Sequence, residues 1–252
     1  MDTIFFALYI IIFLYGIVIG SFLNVCIYRI PKKENIVKVR SHCMSCGHKL
    51  QWYELVPLFS FLFLRGRCRK CKAKISVQYP LIEAANGILY VLIVMLNGIN
   101  IDTLLYCLLA SALLTLSMID IKTFEIPLGI NIFILAMGLI RVFFHLGEWA
   151  DHVIGFFCVS VFLYLLILLT KGKAIGGGDM KLMAASGLFL GWKGIILAFL
   201  LACILGSVVH LLRMIITKCN HVLAMGPYLS IGIFIAMLFQ DKFITWYLSL
   251  FI

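Results

Sequence analysis

Charged side chains are scarce in this sequence. They make up 13% of its 252 residues, and only 11 are Asp or Glu. Hydrophobic residues account for 63%, and the mean hydropathy is +1.11. A soluble chain of this length has no core large enough to hide so much apolar side chain. A soluble globular domain is therefore excluded, and an all-α polytopic membrane protein is expected. Other absences narrow the field. No basic segment precedes the first apolar run, Ile4 to Ile27, and no small-residue cleavage site follows it. That run also exceeds a signal-peptide core in length, so it reads as a retained span. No GxSxG elbow occurs and the histidines are scattered, which removes support for serine and cysteine hydrolases. No internal repeat is visible, and a transporter built on inverted repeats and using intramembrane acids is the weaker alternative. A glycine-rich GxGxxG nucleotide fingerprint is also missing. The nine cysteines do not resemble a secreted disulfide framework. Cys26, Cys107, Cys158, Cys203 and Cys219 lie in or beside apolar runs, where cysteine acts as a small hydrophobe.

Apolar windows of about 20 residues mark spans near 4–27, 82–97, 102–119, 127–145, 153–170, 193–216 and 222–240. A shorter run, 180–191, reaches only about 18 Å at about 1.5 Å per residue. It must be thinly covered, shielded by neighbours or re-entrant. The aromatic tail 243–252 is too short to cross. Counting the short run gives about eight transmembrane helices. Segment 29–80 carries 12 Lys/Arg. Placing it in the cytoplasm puts every basic residue inside except Arg141, Lys193 and Lys242, while the outer loop around Glu148 and Asp151 is acidic. The positive-inside rule is thus well satisfied, and topology with anionic lipid explains the net charge of +10 without nucleic acid.

The domain organisation expected is a first transmembrane helix over 1–28, a cytoplasmic insert over 29–80 and a membrane core over 81–252. The insert holds Cys43-Met44-Ser45-Cys46 and Cys68-Arg69-Lys70-Cys71, with 21 residues between the pairs. Two CxxC knuckles supply four thiolates able to close on one structural zinc, which would stabilise a segment too small for its own core. Gly47 and Gly66 lie where tight knuckles tend to need glycine. Unligated reduced thiols or a redox pair are the alternatives. His42 and His48 read as solvated neighbours. Four cysteines leave no open position for water, so no catalytic role follows for the metal.

Two acids stand out, Asp120 and Asp179, each at the end of an apolar run and the second within Gly176-Gly177-Gly178-Asp179. A carboxylate at a membrane boundary is costly unless it is solvated, paired or used. Asp179 alone reads equally well as a helix N-cap, and Asp120 alone as a helix-end carboxylate beside Lys122. The span count places both at the cytoplasmic face. There they would form one acid/base site, and Gly176, Gly177 and Gly178 would let an extended substrate backbone approach. Hydrolysis by two carboxyls needs one ionised and one protonated, and the pair would titrate as a unit without fixed roles. Glu125, just before Ile126-Pro127, is the best additional acid.

An ordered set of motifs then carries a resemblance. It begins with Gly20-Ser21-Phe22-Leu23-Asn24-Val25, Tyr28-Arg29 and Pro31, followed by Arg40-Ser41-His42-Cys43, Cys46-Gly47-His48 and Trp52-Tyr53-Glu54-Leu55-Val56-Pro57. Arg65-Gly66-Arg67-Cys68 and Tyr79-Pro80-Leu81-Ile82-Glu83 come next, then Asp120 with Ile126-Pro127, Gly176 through Leu182, and Gly226-Pro227-Tyr228. Over nearly its whole length the chain resembles the bacterial type IV prepilin peptidases, of the GxGD class of membrane aspartic proteases. The resemblance implies a plasma-membrane endopeptidase that removes the basic leader of type IV prepilins or pseudopilins, after a glycine and on the cytoplasmic side. Asp120 and Asp179 match its catalytic aspartates, and Cys43, Cys46, Cys68 and Cys71 its tetracysteine motif. Many members also methylate the new N-terminus with S-adenosylmethionine, an activity associated with the insert. Peptidase activity alone is the alternative, and intact aspartates argue against a methyltransferase or scaffold that has lost proteolysis. Met44 replaces a common proline, and Leu128 stands where Asp or Asn is common.

Overall fold

The computed structural model describes residues 2–172, 175–217 and 224–249. Lys173, Ala174, Lys218, Cys219, the 222–223 start of the expected last span and the 250–252 end of the tail lie outside them. Among the described residues all regular structure is helical, apart from two isolated bridges. The helices are α1 (Asp2–Arg29), α2 (Phe59–Phe63), α3 (Gln78–Asn97), α4 (Ile101–Thr123), α5 (Leu128–Phe144), α6 (Trp149–Thr170), α7 (Gly177–Thr217) and α8 (Gly226–Ser249). The chain forms two compact units, Met1–Ser111 and Ala112–Ile252, with α4 passing from one to the other.

In the first unit α1 packs against α3 through small residues. A Cβ on Gly16 would lie 2.6 Å from Gly87 Cα, and one on Gly20 would lie 2.7 Å from Glu83 Cα. Glycine four residues apart on α1 therefore lets two backbones touch, as apolar membrane helices require in place of a hydrophobic driving force. The contact is pinned by polar groups. Asn86 Nδ2 donates to Gly16 O at 2.8 Å, Ser111 Oγ donates to Asn86 Oδ1 at 2.8 Å, and Ser111 Oγ lies 3.0 Å from Tyr90 Oη. At about 1.5 Å per residue α1 is about 42 Å long, more than the ~30 Å hydrocarbon layer. The buried Arg29 in its last turn donates to the carbonyls of Asn35, Ile36 and Val39, and so ties the start of the insert to the helix end.

The second unit is organised around α7. Its 41 residues are broken at Gly191, where φ is 79° and ψ 172°, a conformation that glycine adopts without strain. The break falls between the two apolar runs expected at 180–191 and 193–216. In the first limb Leu182–Leu190 are all buried, packed against α5 and α6. Shielding by neighbours is thus how this short piece is accommodated. Gly155 of α6 and Gly187 of α7 abut backbone to backbone, and Gly232 of α8 meets the Ala198 carbonyl in the same way.

Among the described residues six helices are long and apolar enough to cross a membrane: Phe5–Arg29, Gln78–Asn97, Ile101–Thr123, Leu146–Thr170, Gly177–Ile216 and Gly226–Ser249. The count of about eight rested on treating 180–191 and 193–216 separately and on including 127–145. Here the first two are limbs of one helix, and Leu128–Phe144 is a shorter apolar helix. The tail also differs from expectation. Helix α8 continues through Asp241 and Lys242 to Ser249, so most of 243–252 extends the last helix instead of forming a separate piece.

Candidate active site and cysteine cluster

Asp120 sits in the last turn of α4, 4% exposed, and its own carbonyl accepts from Phe124 N at 2.8 Å. Phe124 closes the helix in the left-handed region (φ 54°), and Pro127 then starts α5. The Asp120 side chain is held from a distant part of the chain. Gly226, the first residue of α8, donates its N–H to Asp120 Oδ2 at 2.8 Å. A Cβ on Gly226 would lie 2.6 Å from that oxygen, so only glycine lets the amide come so near. The N-terminus of α8 thus points its positive dipole end at the carboxylate.

Asp179 occupies the first turn of α7 and is half-buried, with its N–H donating to Gly176 O at 3.2 Å. The glycines before it are not equivalent. A Cβ on Gly178 would lie 2.9 Å from Ile126 Cβ, and one on Gly176 would lie 3.2 Å from Asp179 Oδ2. At Gly177 a Cβ would meet nothing within 4 Å. Asn131 of α5, 4% exposed, reaches Gly178 O from Nδ2 at 3.5 Å and leaves its Oδ1 without a protein partner. Asp120 and Asp179 come within direct electrostatic reach of each other. Each lies at a helix N-terminus, α8 for the first and α7 for the second. Glu125 is exposed on the turn between α4 and α5. Gly226 and Asn131 were not assigned a role from the sequence. The signals for Gly226 are its place in the Gly226-Pro227-Tyr228 motif and a Gly-Pro pair at a helix start.

An apolar groove of about 370 Å³ begins directly after Asp179, at Met180 and Lys181, and runs between α5, α6 and α7 past Ile132, Phe157, Ser160 and Ala184. Small side chains along its floor leave room for an apolar helix to lie close.

The cysteines form a compact cluster in the first unit. All four Sγ atoms lie within 4.8 Å of one another, and Cys43 and Cys71 are 3.8 Å apart. Tetrahedral ligation with Zn–S of about 2.3 Å requires sulfurs about 3.8 Å apart. Both knuckles share one backbone design. The bridge His42↔Lys49 brackets the first, and Cys43 N donates to His48 O while Gly47 N donates to Cys43 O. The bridge Arg67↔Lys74 brackets the second, where Cys68 N donates to Ala73 O and Lys72 N to Cys68 O. Gly47 and Lys72 therefore take equivalent left-handed positions, with φ of 68° and 59°. Gly66, with φ of 65°, closes α2 by donating its N–H to Phe61 O at 2.9 Å, and its carbonyl accepts from Ile75 N at 2.8 Å across the second knuckle.

The amides of Ser45 and Cys46 hold the Cys43 thiol down to about 6, and those of Cys71 and Lys70 lower Cys68. At Cys71 the Ala73 amide also lowers the thiol, but burial and the crowding of Cys46, Cys68 and Cys43 outweigh it and push it up to about 11. The arrangement favours thiolates yet is too crowded for four without a cation, so the residues fit a tetrahedral thiophilic metal such as zinc.

Residues 14–97 match the bacterial peptidase A24 N-terminal domain, and residues 107–211 match the type IV leader peptidase family. The chain is 34% identical over 274 residues to the prepilin leader peptidase/N-methyltransferase of Aeromonas salmonicida, covering 95% of this chain and 93% of that protein. It is 33% identical over 258 residues to the protein of the same name from Pseudomonas putida, covering 90% and 89%. For the Aeromonas hydrophila protein the figures are 34% over 276 residues, 96% and 94%. No solved structure matches the chain at a significant level. Identity of this extent across both compact units leaves one assignment: the chain belongs to the type IV leader peptidase family.

Proposed function

We propose that this protein is a membrane aspartic endopeptidase that removes the basic leader of type IV prepilins or pseudopilins, cutting after a glycine, and that it then N-methylates the new N-terminal residue with S-adenosylmethionine. The observation that carries the peptidase reading is the meeting of Asp120 and Asp179 at the N-termini of α8 and α7. Two carboxyls close enough to feel each other's charge titrate as a unit, one ionised while the other is protonated. The ionised one takes a proton from water, whose oxygen attacks the scissile carbonyl. The protonated one gives a hydrogen bond, then its proton, to the carbonyl oxygen. Collapse of the tetrahedral species returns a proton to the leaving amine. The exposed Gly177 fits a place where substrate backbone lies beside the dyad, and the groove starting at Met180 suits the apolar helix that follows the substrate's leader.

In the same reading, 1–28 is an anchoring helix, 29–80 a zinc-stapled insert and 81–252 the peptidase core. Cys43, Cys46, Cys68 and Cys71 hold structural zinc. The concentration of basic residues in 29–80 supports a cytoplasmic insert in a bacterial plasma membrane, with both aspartates on that side. The relatives' name, prepilin leader peptidase/N-methyltransferase, supports the methyltransferase step, for which bound S-adenosylmethionine would supply an electrophilic methyl group. Incubating the purified, detergent-solubilised protein with a prepilin and S-adenosylmethionine tests both activities. The mass of the pilin product reports leader removal and methylation separately. An uncleaved prepilin refutes the peptidase reading.

A further inference from the structure

Helix α2 turns apolar side chains away from the protein. Leu62 is 70% exposed and Phe63 85%, and Trp52, in the turn that leads to α2, is 79% exposed. Trp52 meets Tyr53 edge to face, with ring centroids 5.7 Å apart. Tyr53 in turn shares an open apolar cleft of about 300 Å³ with Val56, Phe59, Phe63 and Leu64. These side chains form one patch. A single exposed apolar residue needs no explanation, whereas a contiguous patch marks an interaction surface. The patch is also held at a defined depth. Leu58, the residue before α2, donates its N–H to Glu83 Oε2 at 2.8 Å. Glu83 lies about 7.5 Å along α3 from Gln78, at about 1.5 Å per residue. The whole of α3 is about 30 Å long, the thickness of the hydrocarbon layer. Its start therefore marks the edge of that layer, and α2 is tied about 7.5 Å inside the edge.

Charge points to the same partner. Arg65, Arg67, Arg69, Lys70, Lys72 and Lys74 follow α2 and are all exposed, and no acid occurs between Glu54 and Glu83. Tryptophan, phenylalanine and leucine beside a basic run is the composition of a segment that lies in the interface of an anionic bilayer, its apolar side chains about 5–10 Å deep. A protein partner in water would not reach a face held at that depth. We propose that Trp52 and α2 form an interfacial anchor, with Leu62 and Phe63 entering the acyl boundary of the bilayer and the basic run from Arg65 to Lys74 meeting the phosphates of anionic lipid. The proposal needs only that α1 and α3 cross the membrane, and it stands apart from both activities. It also gives the insert a fixed seat. Gly66 links α2 to the second knuckle, through Phe61 O on one side and Ile75 N on the other, so the anchor carries Cys68 and Cys71 at the lipid surface.

The test uses the full chain reconstituted in vesicles of phosphatidylcholine and phosphatidylglycerol. Phe63→Trp adds one tryptophan to the four present, and subtracting the wild-type emission isolates position 63. Lipid brominated near the carboxyl end of its chains is expected to quench that emission, and aqueous iodide to leave it almost unchanged. Adding Leu62→Asp is expected to reverse both responses while the zinc content of the chain stays the same, because Leu62 is exposed and makes no part of the cysteine cluster. In vesicles of phosphatidylcholine alone the bromine quenching is expected to fall. Quenching by iodide and not by brominated lipid overturns the anchor, since the patch then faces water. Quenching by neither also overturns it, since protein then covers the patch. Equal bromine quenching with and without phosphatidylglycerol overturns the contact with anionic lipid.

Discussion

Gly226 donates its backbone N–H to Asp120 Oδ2 at 2.8 Å across 106 residues of sequence. The donor is the free amide of a helix start, and the space it needs exists only because Gly226 has no side chain, a Cβ there falling 2.6 Å from the same oxygen. If Asp120 is catalytic, its charge and orientation depend on this residue. Gly226→Ala is therefore expected to lower kcat for leader removal by about 100-fold, the usual effect of losing one preorganised donor. Steady-state cleavage assays on the folded variant measure this, and wild-type kcat would remove Gly226 from the site.

The glycines before Asp179 separate fit from function. At Gly178 a Cβ would press on Ile126, whereas at Gly177 it would meet open space. Gly178→Ala is expected to lower the melting temperature together with activity. Gly177→Ala should leave the melting temperature unchanged and raise KM or lower kcat, because the space it fills belongs to the substrate. A scan of thermal unfolding beside cleavage kinetics distinguishes the two.

Metal content provides a third check. The purified protein is expected to carry about one zinc per chain, as a site of four cysteine thiolates does. Cys68→Ser should abolish it and lower the melting temperature, since binding energy in such sites is folding energy. Elemental analysis with thermal unfolding reads both, and full stability in a metal-free variant would contradict a structural zinc.

Sidedness is tested by proteolysis. Trypsin added to intact spheroplasts should spare the Lys/Arg-rich segment 29–80 and cleave it in inverted vesicles. Cleavage in intact spheroplasts would reverse the orientation.

The all-helical membrane architecture was legible because apolar runs of about 20 residues have few other uses. The two aspartates that the structure brings together were also conspicuous, as carboxylates at the ends of such runs. Gly226 was visible only within the Gly226-Pro227-Tyr228 motif, because a hydrogen bond across 106 residues leaves no local pattern that names its partner. The left-handed turn inside the second knuckle was not legible for a different reason. Its register is set by the Arg67↔Lys74 bridge, which puts Lys72 in the left-handed position despite its side chain. The aromatic tail was cut off at Asp241 and Lys242, yet charges near a helix end need not stop the helix, and α8 runs through both.

The most direct measurement is leader removal by Asp120→Asn and Asp179→Asn in the purified protein, each checked for zinc content and S-adenosylmethionine binding to show that the fold is intact. Asparagine keeps the shape of each side chain and removes its ability to exchange a proton. Loss of cleavage in both variants, with zinc and S-adenosylmethionine binding retained, is the predicted result. Undiminished cleavage by both would contradict the dyad.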